Sequence, residues 1–457
     1  MAANRSASVN VTELIDRNGV SPFQMMIVAL CFLIIAIDGF DTAAIGFIAP
    51  AIRSVWHVGA AQFGAVFGAG LAGLTLGALV TGPLADRFGR RRVLLLCVLF
   101  FGIASVACAQ ATSFSDLVVL RFLTGLGLGG AMPNAITLTS EYCPSARRMF
   151  IVTTMACGFT LGSALGGFVA AALTTHYGWR SVLLAGGVAP LILLPVFAWL
   201  LPESVRYLVT TGKRMQEIAR VLARISDRDD ISASSFTVSC EAVTGSPVSH
   251  LFRPDLLRGT LLLWFTFFMS LLVIYLLSSW LPTLLRSTGA TLETAALVTA
   301  MFQVGGTIGA ISLGWLMDRF NPSYVLALSY LAAAVFIAAI GDLVSTPWLA
   351  ATTVFCAGFC VSGCQVGVNA FAASFYPTDC RATGVSWANG IGRMGSVVGS
   401  LAGGVMLGAG LLFPTLFLIV GVPAAIAGVS MFGLGRWRNR VQIPGEHQEI
   451  SPSSFSS

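Results

Sequence analysis

Twelve stretches of about 20 mostly apolar residues divide this chain into two sets of six. The first set covers 25–50, 62–84, 92–110, 116–142, 149–172 and 181–201; the second covers 259–284, 293–316, 323–341, 348–374, 383–407 and 412–435. In lipid, a segment this long satisfies its backbone by becoming a helix. The alternating pattern of a membrane β-barrel is absent. Only 10% of the residues are charged and 56% are hydrophobic, against roughly 25% charged in an ordinary soluble protein. The 49 glycines suit close helix packing in a membrane. The predicted class is an all-α polytopic membrane protein.

The polar segments fix the expected organisation. Residues 1–22 carry Arg5, Glu13, Asp16 and Arg17 and lack the pattern of a removable signal peptide. Residues 23–201 form one six-helix bundle and 258–435 the other. Residues 202–257 are a linker with a Ser-rich part, Ser232 to Ser249, and a short helix near 213–225. Residues 436–457 are a polar tail. With the N-terminus cytoplasmic, 21 Lys and Arg fall on that side and only Arg53, Arg180 and Arg286 on the other. The positive-inside rule therefore predicts cytoplasmic termini, linker and tail. The net charge of +6 is a topology signal. No basic stripe with interleaved aromatics suggests nucleic acid. Cys356, Cys360 and Cys364 share a helix face without His or carboxylate, so packing is expected there and no metal.

Charges inside the apolar runs point to function, because each costs about 2.5–3.5 kcal/mol near the bilayer centre on insertion scales. Asp38 and Asp41 lie three apart in the first run, about 60° from each other around the helix. Desolvation favours the neutral form of a carboxylate, and a second carboxylate nearby adds to that. The pair is therefore expected to couple transport to protons; which of the two carries the proton is open, and so is a structural pairing with arginine. Arg393 lies about ten residues into run 11, roughly 15 Å deep. Its guanidinium is the first candidate to hold a substrate carboxylate, an internal ion pair being the alternative. Arg121, in run 4, has a depth that suits either a pair with Asp41 or direct substrate contact. Glu141, at the end of run 4, fits a step in proton exit or an inner-gate salt bridge. Trp264, Phe267, Tyr275, Trp280 and Phe371 are candidates for the apolar wall of such a site, and Asn134, Gln303, Asn369 and Asn389 for polar contacts within it, lipid or helix-to-helix contacts being the alternative.

The two halves echo each other. Gly77-Ala78 … Gly82 … Asp86-Arg87-Phe88 returns as Gly309-Ala310 … Gly314 … Asp318-Arg319-Phe320, and Gly158, Gly162, Gly166 and Gly167 return as Gly395, Gly399, Gly403 and Gly404. A parallel repeat of six helices predicts two pseudo-symmetric bundles with a site between them near the midplane. The run Gly125-Leu126-Gly127-Leu128-Gly129-Gly130 has no strand before it, so it reads as helix packing and not as a dinucleotide loop. No phosphate-cradling loop, nucleophile–base set or cofactor signature appears, so the chain reads as a non-enzyme without a cofactor.

Gly82-Pro83-Leu84-Ala85-Asp86-Arg87-Phe88-Gly89-Arg90-Arg91, between runs 2 and 3, resembles the loop signature of the major facilitator superfamily. Arg121-Phe122-Leu123-Thr124-Gly125 and Pro202-Glu203-Ser204-Val205-Arg206 resemble two more of its motifs. Asp38-Gly39-Phe40-Asp41-Thr42, Ser279-Trp280-Leu281-Pro282-Thr283 and Arg381-Ala382-Thr383-Gly384-Val385-Ser386-Trp387 are similar to its aromatic acid:proton symporter family, over residues 20–435. The resemblance implies the major facilitator fold and a functional monomer. It implies import of an aromatic carboxylate, such as 4-hydroxybenzoate or protocatechuate, with protons by alternating access. It also implies a gating role for Gly82, Asp86, Arg87, Arg90, Asp318 and Arg319, outside the binding site, in a latch between helices of the outward-open state. The rival readings are a proton-coupled efflux antiporter and a membrane sensor of aromatic acids. Efflux carriers of this kind often have proline where Ser163 stands, which argues against that reading and leaves it open, and the linker holds no recognisable signalling domain.

Overall fold

The computed structural model describes residues 8–17, 19–211, 215–226, 235–237, 250–343, 346–377 and 380–440. Most of the Ser232–Ser249 stretch and the tail beyond Arg440 lie outside the described residues. The first half holds α1 (Val11–Arg17), α2 (Pro22–Trp56), α3 (Ala60–Phe88), α4 (Arg90–Ala109), α5 (Phe114–Tyr142), α6 (Ser145–Ala156), α7 (Gly158–Tyr177) and α8 (Trp179–Leu200). Two short helices follow, α9 (Val205–Thr210) and α10 (Met215–Ser226). The second half holds α11 (Pro254–Ser287), α12 (Leu292–Arg319), α13 (Pro322–Leu343), α14 (Pro347–Phe375), α15 (Arg381–Gly408) and α16 (Phe413–Arg440). Two three-residue strands, β1 (Ser8–Asn10) and β2 (Ser235–Thr237), pair in parallel.

Twelve spans among the described residues are long and apolar enough to cross a membrane, α6 and α7 together making the fifth. Most helices extend beyond the apolar runs, because polar caps carry them past the lipid. Ser21 and Gln24 form a capping box at the start of α2, and Ser113 and Asp116 do so at α5. The fifth run departs from the single helix expected. It is interrupted at Cys157, next to the α2 crossing; a Cβ on Gly158 would stand 2.7 Å from the Phe32 carbonyl oxygen.

The sequence repeat becomes a repeat of contacts. Gly73 and Gly77 of α3 lie against the carbonyls of Phe122 and Leu126 in α5, and Gly305 and Gly309 of α12 lie against those of Phe355 and Phe359 in α14. Likewise Gly158 and Gly162 of α7 meet Phe32 and Ala36 of α2, while Gly395 and Gly399 of α15 meet Phe268 and Leu272 of α11. In each case the missing side chain lets two backbones touch.

The apolar core is divided unequally between the two ends. One cluster joins both halves at the end where α2 finishes and α3 begins, the arginine-poor end. It runs from Ala43–Ile52 and Phe63–Phe67 through Leu117 and Val182 to Val273–Leu285, Ala295–Phe302 and Leu416–Ala424. At the arginine-rich end the core splits. One cluster draws on the first half and the two short helices after it, from Val11 to Ile225, and another on the second half and the residues just before it, from Leu251 to Leu434. Among the described residues, a shared core thus seals the bundles together at one end, and each bundle keeps a separate core at the other.

Candidate functional site

Asp38, Asp41, Arg121 and Arg393, all within the apolar runs, are held in two different ways. Asp41 is fully buried. Its Oδ2 lies 3.1 Å from Arg121 Nη1 of α5, Arg121 Nη2 donates to its backbone oxygen at 3.2 Å, and Ser105 Oγ of α4 donates to Oδ1 at 2.6 Å. Three helices converge on this carboxylate, and glycine at 186 in α8 leaves room beside it, a Cβ there standing 3.2 Å from Oδ1. Arg121 Nε is buried with no acceptor.

Asp38 has a different setting. Its hydrogen-bond partner is Thr42, one turn on, whose hydroxyl donates at 3.2 Å. Arg393, across the seam on α15, acts on it electrostatically without forming an ion pair. Arg393 Nη1 donates to the Tyr275 hydroxyl of α11 at 3.3 Å. The first bundle therefore presents a carboxylate, and the second presents a guanidinium that no carboxylate among the described residues pairs with. Between Asp38 and Asp41 the backbone is held from behind: the Gly39 carbonyl accepts from Ser163 Oγ at 2.9 Å, and Gly39 lies against the Phe159 carbonyl.

A cavity lies in this seam toward its sealed end. Its polar side chains are Thr42, Arg121, Tyr275 and Ser279, and Phe67 and Leu71 of α3 supply apolar wall. Of the aromatic candidates, Tyr275 lines the cavity. Trp280 is fully buried beside it in the seal, its Nε1 donating to Ser400 O at 2.7 Å and its ring edge-on to Phe67. Trp264, Phe267 and Phe371 belong to the second bundle's own core. Sequence reading gave Phe67, Thr42 and Ser279 no place in the site; Thr42 and Ser279 stand one turn from Asp38 and Tyr275 in the sequence itself, whereas Phe67 of α3 reaches the cavity only once the helices are assembled.

The amides are held within or between neighbouring helices. Asn134 Nδ2 donates to Gly130 O at 2.7 Å, Gln303 Nε2 to Ser278 Oγ at 3.2 Å, and Asn389 Nδ2 to Asn369 Oδ1 at 3.0 Å.

Glu141 lies far from the cavity, at the open end. Arg90 Nε stands 3.0 Å from its carboxylate and Ser204 Oγ donates to it. Arg90 also reaches Asp86 at 3.4 Å. Beside them Glu203 accepts from the backbone N–H of Arg91 at 3.0 Å and of Ser204 at 2.9 Å. Gly89, at φ +100°, permits this approach: a Cβ would stand 2.4 Å from Glu203 Oε2. Tyr207 OH donates to the Arg87 carbonyl at 3.3 Å. In the second half Asp318 is exposed and Arg319 lies over the Trp315 ring at 4.0 Å. A Cβ at Gly82 or Gly314 would meet open space.

Comparison with known proteins places this arrangement. Residues 31–392 and 263–456 match the family model of the Major Facilitator Superfamily, and the chain belongs to that family. It is a membrane transporter and not an enzyme. It is 48% identical to the gallate transporter of Pseudomonas putida, over 95% of this chain and 97% of that one. It is 46% identical to the 4-hydroxybenzoate transporter PcaK of Acinetobacter baylyi, over 94% and 95%. Among solved structures it matches the D-xylose-proton symporter with a TM-score of 0.70 at 19% identity, covering 89% of this chain and 96% of that one.

Proposed function

We propose that this chain imports an aromatic monocarboxylate of the hydroxybenzoate class together with at least one proton, by alternating access. The observation that carries the reading is a buried Asp38 in the first bundle together with Arg393 of the second, which no carboxylate among the described residues pairs with. With the cavity empty, a charged Asp38 and Arg393 attract and balance each other. An incoming carboxylate on Arg393 puts two negative groups beside one guanidinium. A proton on Asp38 removes that repulsion, so substrate and proton each favour the other's binding, and the coupling is reciprocal. Loaded with both, the seam is neutral and can close at its open end without burying an unpaired charge. The relatives named for gallate and for 4-hydroxybenzoate support the substrate class.

Arg121 is already matched by Asp41, which leaves Arg393 as the carboxylate holder and Asp38 as the proton carrier. The arginine bias supports cytoplasmic termini and linker, which makes this conformation inward-open. In that state Arg90 engages Glu141 and Asp86, and closing the inner end re-forms the latch around Gly82, Arg87, Asp318 and Arg319. We expect a monomer in the inner membrane. Efflux is less well supported: Ser163, where such carriers often have proline, here bonds the Gly39 backbone.

The test is uptake of radiolabelled 4-hydroxybenzoate into proteoliposomes, with and without an inward proton gradient. Gradient-driven uptake is expected for the wild type, and Asp38→Asn should retain substrate exchange while losing the response to the gradient. Wild-type uptake that ignores the gradient would leave a facilitator and remove the proton from the mechanism.

A further inference from the structure

We propose that Ser279 reads the ring hydroxyl of the carried acid, making the seam cavity a site with two polar ends for hydroxylated benzoates. This rests on the aromatic-acid reading above and adds the group that tells one acid from another.

Four polar side chains line the cavity. Two are committed: Thr42 gives its hydrogen to Asp38, and Arg121 gives both terminal nitrogens to Asp41. The other two are Tyr275 and Ser279, four residues apart on one face of α11. Tyr275 accepts from Arg393, and its own hydrogen finds no acceptor among the described residues. That end is rich in donors and suits a carboxylate. Ser279 is buried, and its hydroxyl has one polar neighbour, Ser400 Oγ, at 3.4 Å, the long limit for a hydrogen bond between hydroxyls. A hydroxyl has one hydrogen and two lone pairs, so Ser279 can exchange this weak contact for a better one with a phenol.

The spacing along α11 suits the two ends of the ligand, and the cavity, about 30 Å³ in this conformation, must widen to take the ring. One turn of α11, about 6 Å, separates Tyr275 from Ser279. A helical tyrosine leans toward its helix N-terminus, which carries its oxygen further from Ser279. An acid anchored at Arg393 and Tyr275 then lays its ring against Phe67 and Leu71 and directs its 4-position to Ser279.

Half-saturation concentrations for uptake of 4-hydroxybenzoate, benzoate and 4-fluorobenzoate by wild type, Ser279→Ala and Ser279→Thr in proteoliposomes test this. The affinity ratio of 4-hydroxybenzoate to benzoate should fall about tenfold in Ser279→Ala, the worth of one hydrogen bond, and return in Ser279→Thr. An unchanged ratio, or an equal loss for both acids, overturns the assignment. If Ser279→Ala fails to fold, the wild type alone decides. 4-Fluorobenzoate has no hydrogen to donate and should bind about tenfold more weakly than 4-hydroxybenzoate; equal binding sinks the proposal. A wild type that carries none of the three acids would instead overturn the aromatic-acid reading itself.

Discussion

Two aspartates three residues apart on α2 end up in unlike surroundings. Asp41 is locked by Arg121 and Ser105 away from the seam, while Asp38 has Thr42 and a view of Arg393. The locked pair sets a prediction. Arg121→Gln leaves a buried carboxylate uncompensated, a loss of about 3–5 kcal/mol, and should lower the thermal unfolding midpoint of the purified protein sharply. The double variant Arg121→Gln/Asp41→Asn should recover most of that midpoint; a double variant no better than the single one would mean the ion pair is not what holds these helices together. The sequence made both aspartates and both arginines conspicuous, since charge in an apolar run is rare. It could not sort them into pairs, because spacing fixes the direction of a side chain about its own axis and says nothing of the helix it meets. For the same reason the aromatics proved hard to read. Trp264 and Phe267 are as striking in sequence as Phe67, yet only Phe67 faces the cavity.

At the scale of elements, glycine sets how close the helices come. A Cβ at Gly162 would stand 1.8 Å from the Ala36 carbonyl oxygen, and one at Gly39 2.1 Å from that of Phe159. Both contacts are with backbone, which cannot step aside. Gly162→Ala should therefore push α2 and α7 apart behind the aspartates. The expected result is a steep loss of monodisperse protein by size-exclusion chromatography. Gly433→Ala, where a Cβ meets open space, should elute as wild type does. Similar behaviour of the two variants would count against this account of the α2–α7 crossing. The helices were legible as apolar runs of the right length. Their ends were less so, since caps such as Ser21–Gln24 continue a helix into polar sequence, and the interruption at Cys157 leaves no mark in the apolar pattern.

On the scale of the whole molecule, the sealed end is a measurable contact between the bundles. A Cβ at Gly408 of α15 would lie 3.2 Å from that of Ala61 in α3. With the native cysteines replaced, an Ala61→Cys/Gly408→Cys pair should cross-link on oxidation and stop uptake, and reduction should restore it. Full transport by the cross-linked protein would mean the two bundles do not separate at this end. The repeat at a fixed offset made the two-bundle architecture readable in advance. The conformation was not readable, because every state of an alternating-access carrier shares one sequence.

The divided core also orders the making of the protein. Each bundle keeps an apolar cluster of its own at the arginine-rich end, so the first half can settle on leaving the ribosome before the second is translated, as domains generally do. The cluster at the other end needs residues from both halves, so it closes last. Two halves synthesised as separate chains thus each have a core to fold around, and the shared one gives them a reason to find each other.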